Sequence, residues 1–435
     1  MAATTDRTRQ RRDDVVTTVE LDEYGPAVTV PLPDELGRAL AASRIVEAAP
    51  DPYRPGGWRL RAGGKVGAVA LRAPGHPPVT LRIAPKVPVS RLFFLIGYAA
   101  DPRIHRDGEV SVAEQDELLP ALAQGFERSL ERALRQGVLQ GYRHTEETAS
   151  VVRGRIREAE QVKRHHGRAF PVEVAYDDYG TDIAENRLLR AATERLLTLP
   201  RVPDDVRRRL RHHRGRLLDA QPLTRGIRDL PQWRASRLNL RYQPALQLAE
   251  TILRGSSVEH SAGPDGRLSI DGYLIDTHKI FEDFVCVALR EALAEHGGHS
   301  ALQARGVHLD EAGAVRMRPD LVWYADQGSP RAVADAKYKA EKPEGFPDAD
   351  LYQMLAYCTA LGLSDGHLVY ARGYEPSATH RVRHAGIRIH QHALALERSP
   401  EQLLTAISTI ARLMAEGADT TRPTQDTVRH RPRKA

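Results

Sequence analysis

The stretch MRPDLVWYADQGSPRAVADAKYK (Met317–Lys339) places acidic residues at and inside two apolar runs. Asp320 precedes the run LVWY, and Asp335 lies within AVADAKY, two residues before Lys337. An ionised group is costly to bury unless it is paired or binds a metal ion. The stretch therefore indicates two strands that carry a functional site.

The residues DQGS between the two apolar runs are typical of the turn of a β-hairpin. If the turn is centred between Gln327 and Gly328, Asp320 lies directly opposite Asp335. Their Cβ atoms would then be about 4.5–5.5 Å apart, and strand alternation places Lys337 on the same face. A shift of one residue would move one carboxylate to the other face, so the prediction depends on the register.

Two unpaired carboxylates this close repel each other, and burial increases the cost. A divalent cation between them removes the repulsion, and oxygen ligands with retained water suit Mg²⁺. Lys337 beside that cation would orient a water molecule or stabilise charge on a phosphate. These parts permit metal-assisted hydrolysis of a phosphodiester. For the hairpin by itself, the alternative is a surface hairpin with ordinary charges.

Two predicted helices supply further polar side chains. Glu282 lies between Phe281 and Phe284 in the helical stretch IFEDFV, from which it would reach the same site. Gln353 and Tyr357 are four residues apart in YQMLAYC and therefore share one helix face. An amide and a phenol there would bind phosphate or support Lys337. The alternative for each residue is a half-buried helix position without a role in chemistry.

Composition restricts the class of protein only broadly. The 435 residues suggest two or three domains, and the net charge of +6 is compatible with nucleic-acid binding. No segment approaches the roughly 18–20 apolar residues of a membrane span, and the charged N-terminus has no apolar stretch behind it, unlike a secretory signal. Cys286 and Cys358 lie in apolar helical patterns and indicate reduced core cysteines of a cytoplasmic protein.

We predict a multidomain α+β fold from the order of the patterns along the chain. Short strand-like runs punctuated by Pro and Gly come first, and apolar residues at three- and four-residue spacing follow. The polar segment SVEHSAGPDGRLSIDG marks a break before a mixed α/β pattern. The predicted regions are a disordered tail (1–14), a β-rich N-terminal domain (15–110), a helical middle region (111–256), an α/β domain with a mixed sheet flanked by helices (257–417) and a basic disordered tail (418–435).

The polar residues of the hairpin and helices, taken together, resemble the PD-(D/E)XK nuclease superfamily in its RecB-like branch, which has a QxxxY helix. RPD would supply the first aspartate and DAK the (D/E)XK element. The resemblance implies that Glu282, Asp320 and Asp335 hold Mg²⁺, for which Mn²⁺ is expected to substitute. It also implies that Lys337 assists the attacking water and that Gln353 and Tyr357 support the site.

Three upstream segments are similar to patterns of McrC proteins. LRIAPKVPVSRLFFLIGYA (Leu81–Ala99) resembles I-x-PK followed by LLFLLxYA. GYRHTEETASVVRGRIREAEQ (Gly141–Gln161) resembles GY…E…RGRI…EQ, and YDDYGTDIAENRLLRAA (Tyr176–Ala192) resembles YDE…D…NR(L/I)L. With FEDFV and DAKYK following in the same order, the resemblance runs from about residue 80 to 360 and leaves out the first 75 residues.

The McrC resemblance implies a nuclease subunit of a modification-dependent restriction system. Its partner would be a McrB-like AAA+ hexamer that hydrolyses GTP and recognises modified cytosine in double-stranded DNA. The N-terminal part of this chain would contact and stimulate that motor, and the C-terminal domain would cut the DNA. The chain has no GxxxxGK[ST] loop, so we expect it to bind no nucleotide itself.

Candidate residues for the contact with the motor are Lys86, in the Pro-bounded loop APKVP, and Arg153 and Arg155 in VRGRIRE. Only 8 of the 63 basic residues are Lys, so a lysine is more informative here than an arginine, and a solvated turn is the alternative for the arginines. Two other functions remain open. One is a free-standing RecB-like nuclease acting on DNA ends, and the other is a catalytically silent activator of the motor.

Overall fold

The computed structural model describes residues 17–100, 102, 118–166, 168–199, 202–223, 230–254, 256–262, 268–338, 348–371 and 378–420. These residues form two compact units that alternate along the chain. The first unit takes the described residues within Met1–Ala62, Val66–Ala84 and Val110–Ile275. The second takes those within Gly63–Lys65, Pro85–Glu109 and Asp276–Ala435.

The described elements are numbered in chain order. The strands are β1 (Thr17–Asp22), β2 (Val28–Pro31), β3 (Val46–Pro50), β4 (Gly57–Ala62), β5 (Lys65–Arg72), β6 (Val79–Ala84), β7 (Gly141–Ala149), β8 (Arg155–Ile156), β9 (Val172–Gly180), β10 (Ser256–Ala262), β11 (Leu268–Asp276), β12 (His299–Leu302), β13 (Val307–His308), β14 (Arg316–Met317), β15 (Leu321–Tyr324), β16 (Pro330–Lys337), β17 (Asp365–Ala371), β18 (Ala378–Arg381) and β19 (Arg388–Leu394). The helices are α1 (Asp34–Ser43), α2 (Val89–Ala100), α3 (Leu118–Leu134), α4 (Glu158–His165), α5 (Ala184–Thr198), α6 (Asp204–Arg216), α7 (Gln243–Arg254), α8 (Thr277–Leu293), α9 (Asp348–Leu361) and α10 (Pro400–Thr420), with single 3-10 turns at Leu240–Tyr242 and Ala294–His296.

A five-stranded sheet in the first unit has the order β1-β6-β5-β11-β10. Strands β1 and β6 are parallel, whereas β5 with β6 and β10 with β11 are antiparallel. A Cβ atom on Gly272 would lie 2.4 Å from the carbonyl oxygen of Ala68, and one on Gly67 would lie 2.3 Å from that of Tyr273. Only glycine permits so close a backbone approach.

The polar segment 257–272, which the sequence analysis interpreted as a break between domains, therefore contains the β10–β11 hairpin of this sheet; residues 263–267 lie outside the described part. The change from the first to the second compact unit falls just after this segment, between Ile275 and Asp276. Gly272 serves close strand packing rather than a turn.

The middle of the chain combines helices with a small sheet. Helices α3, α5, α6 and α7 pack together, as predicted for a helical region. The same region also holds the antiparallel sheet β7-β9-β8, with α4 against β9. Strand β7 (GYRHTEETA) has no buried position, so it lacks the apolar alternation by which a sequence reveals a strand.

The second unit is built on a mixed six-stranded sheet of order β12-β15-β16-β17-β19-β18. Strands β16, β17 and β19 are parallel, and the other neighbours are antiparallel. Helix α9 packs Met354 and Cys358 on the face that carries Val333 and Leu368. On β17, Gly366 faces α9, whereas its neighbour Asp365 faces Gly417 of α10. Helices therefore cover both faces of this sheet.

The compact units divide the chain differently from the sequence-based boundaries. Helix α2 lies in the second unit, where Phe94 and Tyr98 meet Phe284 of α8 with ring centroids 5.7 and 5.5 Å apart. The sequence analysis had placed it in the N-terminal domain because it follows the β-rich region directly. Helix α10 continues to Thr420, so it includes the first three residues (418–420) of the predicted basic tail.

The predicted multidomain mixed α+β class is confirmed, because the structure contains several sheets with helices packed on them. The predicted tail 1–14 and residues 421–435 lie outside the described residues. Among the helices that are described, none is long and apolar enough to cross a membrane.

Candidate functional site

The hairpin formed by β15 and β16 has the register that the sequence predicts. Leu321 pairs with Ala334 and Trp323 with Ala332, and a register shift occurs only toward the turn, after Trp323. Asp320 directly precedes β15, so the same register continued by one residue places it opposite Asp335. The backbone N–H of Ala336 donates to Asp320 Oδ2 at 2.9 Å and ties the two strands together at this point.

Asp335 is only 3% exposed and forms an ion pair with Lys337 on the same strand face. Burial, and next the charge of Asp335, raises the pKa of Asp320 from its usual 3.8 to about 6. A raised pKa means that the folded chain holds negative charge here against an electrostatic penalty. A single lysine therefore does not neutralise the aspartate pair.

Helix α9 supports the lysine from the neighbouring layer. Lys337 Nζ donates to Gln353 Oε1 at 2.8 Å, so the amine lies between a carboxylate and an amide oxygen. Tyr357, one turn further along α9, donates to the carbonyl oxygen of Arg318 at 3.4 Å. Burial, together with the charges of the two aspartates, raises the pKa of Tyr357, so its hydroxyl remains a donor at neutral pH. Gln353 thus orients the lysine, and Tyr357 contacts the segment before Asp320.

Glu282 of α8 reaches the site through a residue that the sequence analysis missed. The side-chain nitrogen of Gln303 donates to Glu282 Oε1 and, at 2.9 Å, to Asp320 Oδ1. Burial and the charge of Asp320 raise the pKa of Glu282. Gln303 follows β12 in ALQARG, a stretch without any motif, and no sequence signal distinguishes it. Only the fold shows that its amide bridges two of the predicted acidic residues.

The arrangement of the acidic side chains indicates which of them could bind a divalent cation. In the described part of the chain, no three His, Cys, Asp or Glu side chains come together closely enough to hold a metal ion. Asp320 lies opposite Asp335, whereas the amide of Gln303 lies between Asp320 and Glu282, and the assignment of all three as metal ligands stays a prediction. Mg²⁺ is usually bound through one or two carboxylates and keeps several waters. The aspartate pair, with its uncompensated charge, fits such an ion.

The three candidate motor contacts are divided between the two units. Lys86 is exposed in the loop after β6, within the second unit. Arg153 and Arg155 belong to the first unit; Arg155 lies on β8, opposite Ala175. Arg153 forms an ion pair with Asp178 at 3.1 Å and packs over an aromatic ring of β9. All three stay predictions.

Comparison with known proteins places this geometry in context. The family model described as McrBC 5-methylcytosine restriction system component matches residues 60–371. A solved structure of a half-complex from a tetradecameric assembly of Thermococcus gammatolerans McrB AAA+ hexamers with bound McrC is similar at a TM-score of 0.54 and 14% identity, covering 92% of this chain and 100% of that one. A cryo-EM structure of the Thermococcus gammatolerans McrBC complex has a TM-score of 0.36 and 16% identity, covering 64% of this chain and 88% of that one. No curated protein matches this chain.

Proposed function

Because the chain belongs to the McrBC 5-methylcytosine restriction system component family, we propose that it is the DNA endonuclease subunit of a McrBC-type restriction system. The observation that carries the proposal is the placement of Asp320 opposite Asp335, with Lys337 held between Asp335 and Gln353. This arrangement supports a PD-(D/E)XK nuclease site on the mixed sheet of the second unit. Its substrate would be the phosphodiester backbone of DNA.

Asp320 and Asp335 would hold Mg²⁺, or Mn²⁺ in its place, on the face of the sheet that α9 covers. When bound, the ion supplies positive charge that neutralises a backbone phosphate and favours ionisation of a water molecule. Lys337 donates hydrogen bonds toward the same position and restrains the attacking water. Gln353 accepts one hydrogen from the lysine and fixes the direction of the amine. Tyr357 keeps the backbone before Asp320 in place.

The partner would be a McrB-like AAA+ hexamer that hydrolyses GTP and recognises modified cytosine in double-stranded DNA. The similar solved structure contains McrC bound to McrB AAA+ hexamers, and the absence of a phosphate-binding loop from this sequence supports nucleotide hydrolysis by a separate chain. Lys86, Arg153 and Arg155 are the candidate contact residues. We propose a cytoplasmic location, where such a system meets incoming DNA.

The test is Asp335→Asn in the full chain, reconstituted with a McrB-like AAA+ partner. We expect loss of DNA cutting, while the partner's nucleotide hydrolysis is stimulated as by the wild type, because only the cation site is altered. Asp326→Asn, an exposed aspartate at the turn of the same hairpin, is the matched control and should cut normally. Cutting that survives Asp335→Asn would show that the site is assigned wrongly.

The same reconstitution separates the alternative functions. A free-standing nuclease acting on ends would cut linear DNA without the motor and would spare closed circles. A silent activator would stimulate nucleotide hydrolysis but leave all DNA intact, in both the wild type and Asp335→Asn. The ionisable cluster argues against the silent activator, since an activator has no need of a buried aspartate that faces a second aspartate.

A further inference from the structure

The side-chain amide of Gln303 connects Glu282 with Asp320. Its nitrogen donates one hydrogen to Glu282 Oε1 and the other to Asp320 Oδ1. An amide nitrogen carries two hydrogens and no charge. The amide therefore holds the two carboxylates side by side.

The backbone of Gln303 has an unusual conformation that a hydrogen bond to Asp320 holds in place. Its φ of 49° lies in the left-handed region, which non-glycine residues rarely adopt. Such a conformation costs on the order of 1 kcal/mol and persists where its surroundings determine it. Here the backbone N–H of Gln303 donates to the carbonyl oxygen of Asp320 at 2.8 Å. Main chain and side chain thus both attach Gln303 to the same aspartate.

The two carboxylates that share the amide differ in their other partners. Glu282 Oε1 also accepts from Lys279 at 3.0 Å, and the same lysine pairs with Asp283 at 2.8 Å. Asp320 faces a second carboxylate, Asp335, instead. The amide of Gln303 thus fills the position between Glu282 and Asp320, and a cation would bind on the other side of Asp320, at Asp335.

We propose that Gln303 is a positioning residue that restricts the site to one divalent cation. Its amide holds Glu282 and Asp320 together, so that Asp320 and Asp335 bind the ion directly and Glu282 acts through the amide. This inference rests on the proposed function for the presence of the ion. It adds a neutral residue to the site and assigns Glu282 an indirect role.

The first test counts bound ions by isothermal titration calorimetry of the full chain with Mg²⁺ in the absence of DNA. Gln303→Glu adds a third carboxylate at the bridge, and the exposed turn residue Gln327→Glu makes the same chemical change at the far end of the hairpin. We expect one ion for the wild type and for Gln327→Glu, and two for Gln303→Glu. A single ion in Gln303→Glu would overturn the proposal.

The second test compares Glu282→Gln with Asp335→Asn in the same titration. We expect Glu282→Gln to keep one ion, with a dissociation constant raised about 10–100-fold, as is typical of a residue that acts through a ligand. Asp335→Asn should abolish binding. If Glu282→Gln abolished binding equally, Glu282 would be a direct ligand and the role of Gln303 would be refuted. Binding that survived Asp335→Asn would refute the proposed cation site of the nuclease itself, which is a separate failure.

Discussion

Lys337 gains its proposed role from two partners that come from different elements. Asp335 of the same strand supplies a carboxylate, and Gln353 of α9 supplies an amide oxygen. A lysine side chain has several rotatable bonds, and two fixed acceptors reduce its freedom before substrate arrives. The orientation of this amine therefore depends on a helix that itself carries no charged group of the site.

Replacing Gln353 with Ala should slow DNA cutting by about 10–100-fold, as is typical for residues that orient a catalytic group. Lys337 would keep its ion pair with Asp335 but lose the acceptor that directs its amine. The measurement is the single-turnover cutting rate of the reconstituted complex. Gln327→Ala, at the exposed turn, serves as the control. A rate equal to the wild type would assign Gln353 to packing alone.

Sequence reasoning reached most of this cluster because its members differ from their surroundings. An aspartate inside an apolar strand and a lysine two residues later are conspicuous, and strand alternation fixes their common face. Gln303 had no such contrast, since an isolated glutamine after a polar strand resembles any surface residue. Its role arises from a chain reversal and a left-handed φ, which local sequence does not encode here.

At the scale of elements, the contact between α9 and β17 determines how close the supporting helix lies to the sheet. Gly366 of β17 leaves no room for a side chain, because a Cβ atom there would lie 2.6 Å from both Cys358 Sγ and Met354 Sδ. Any atom added at this point must push α9 outward. The same helix carries Gln353, so its spacing from the sheet affects the site.

Gly366→Ala should destabilise the second unit by about 1–3 kcal/mol, the usual cost of overpacking a core. It should also slow DNA cutting, because Gln353 moves with the helix. Gly417→Ala is the control: a Cβ atom there has ordinary contacts at 3.6 Å or more, and alanine favours a helix. Thermal unfolding measures both variants. Equal melting temperatures for Gly366→Ala and the wild type would contradict the predicted clash.

Strands β17 and β19 also bring three imidazoles into a stack. His367 lies with its ring centroid 4.8 Å from His390 and 5.4 Å from His392, and its Nδ1 is 3.1 Å from His392 Nε2. Burial, followed by the effect of His390, lowers the pKa of His392 from 6.5 to about 4. Burial likewise holds the pKa of His367 well below its usual value. Both buried rings are therefore neutral at physiological pH.

A lowered histidine pKa makes stability fall with acid, since the unfolded chain takes up the proton first. The neutral His392 ring contributes fully to the free energy of unfolding above pH 6.5. This contribution is lost as the pH falls toward 4. A pKa shift of this size corresponds to a loss of about 3 kcal/mol in the free energy of unfolding. His392→Gln should remove that part of the pH dependence. Denaturant unfolding between pH 7.5 and 4.5 compares the two proteins, and parallel curves would contradict the expectation.

At the scale of the whole molecule, the second unit uses a helix that precedes most of the first unit in the sequence. Tyr98 of α2 is 2% exposed and packs against Phe284 of α8. Reading the sequence from left to right assigned α2 to the region next to it, because an apolar helix does not indicate which surface it covers. The mixed α+β class was predictable from periodicity, whereas the alternation of the two units was not.

Tyr98→Ala should therefore loosen α8 and the mixed sheet, although residue 98 lies outside the sequence-based nuclease domain. Truncating a buried aromatic costs about 3–5 kcal/mol. Hydrogen exchange should show lost protection in residues 277–293, with residues 17–84 unchanged. Tyr53→Ala, at a tyrosine that is 90% exposed, is the control. Lost protection confined to residues 17–84 would assign α2 to the first unit instead.

The position of α2 has a consequence for synthesis on the ribosome. Its apolar surface leaves the ribosome about 190 residues before the helix that covers it. At about 5–20 residues per second, this surface waits roughly 10–40 s for its partner. During that interval it is available to chaperones and to neighbouring nascent chains. The second unit is thus completed only near the end of translation, when the first unit has already been made.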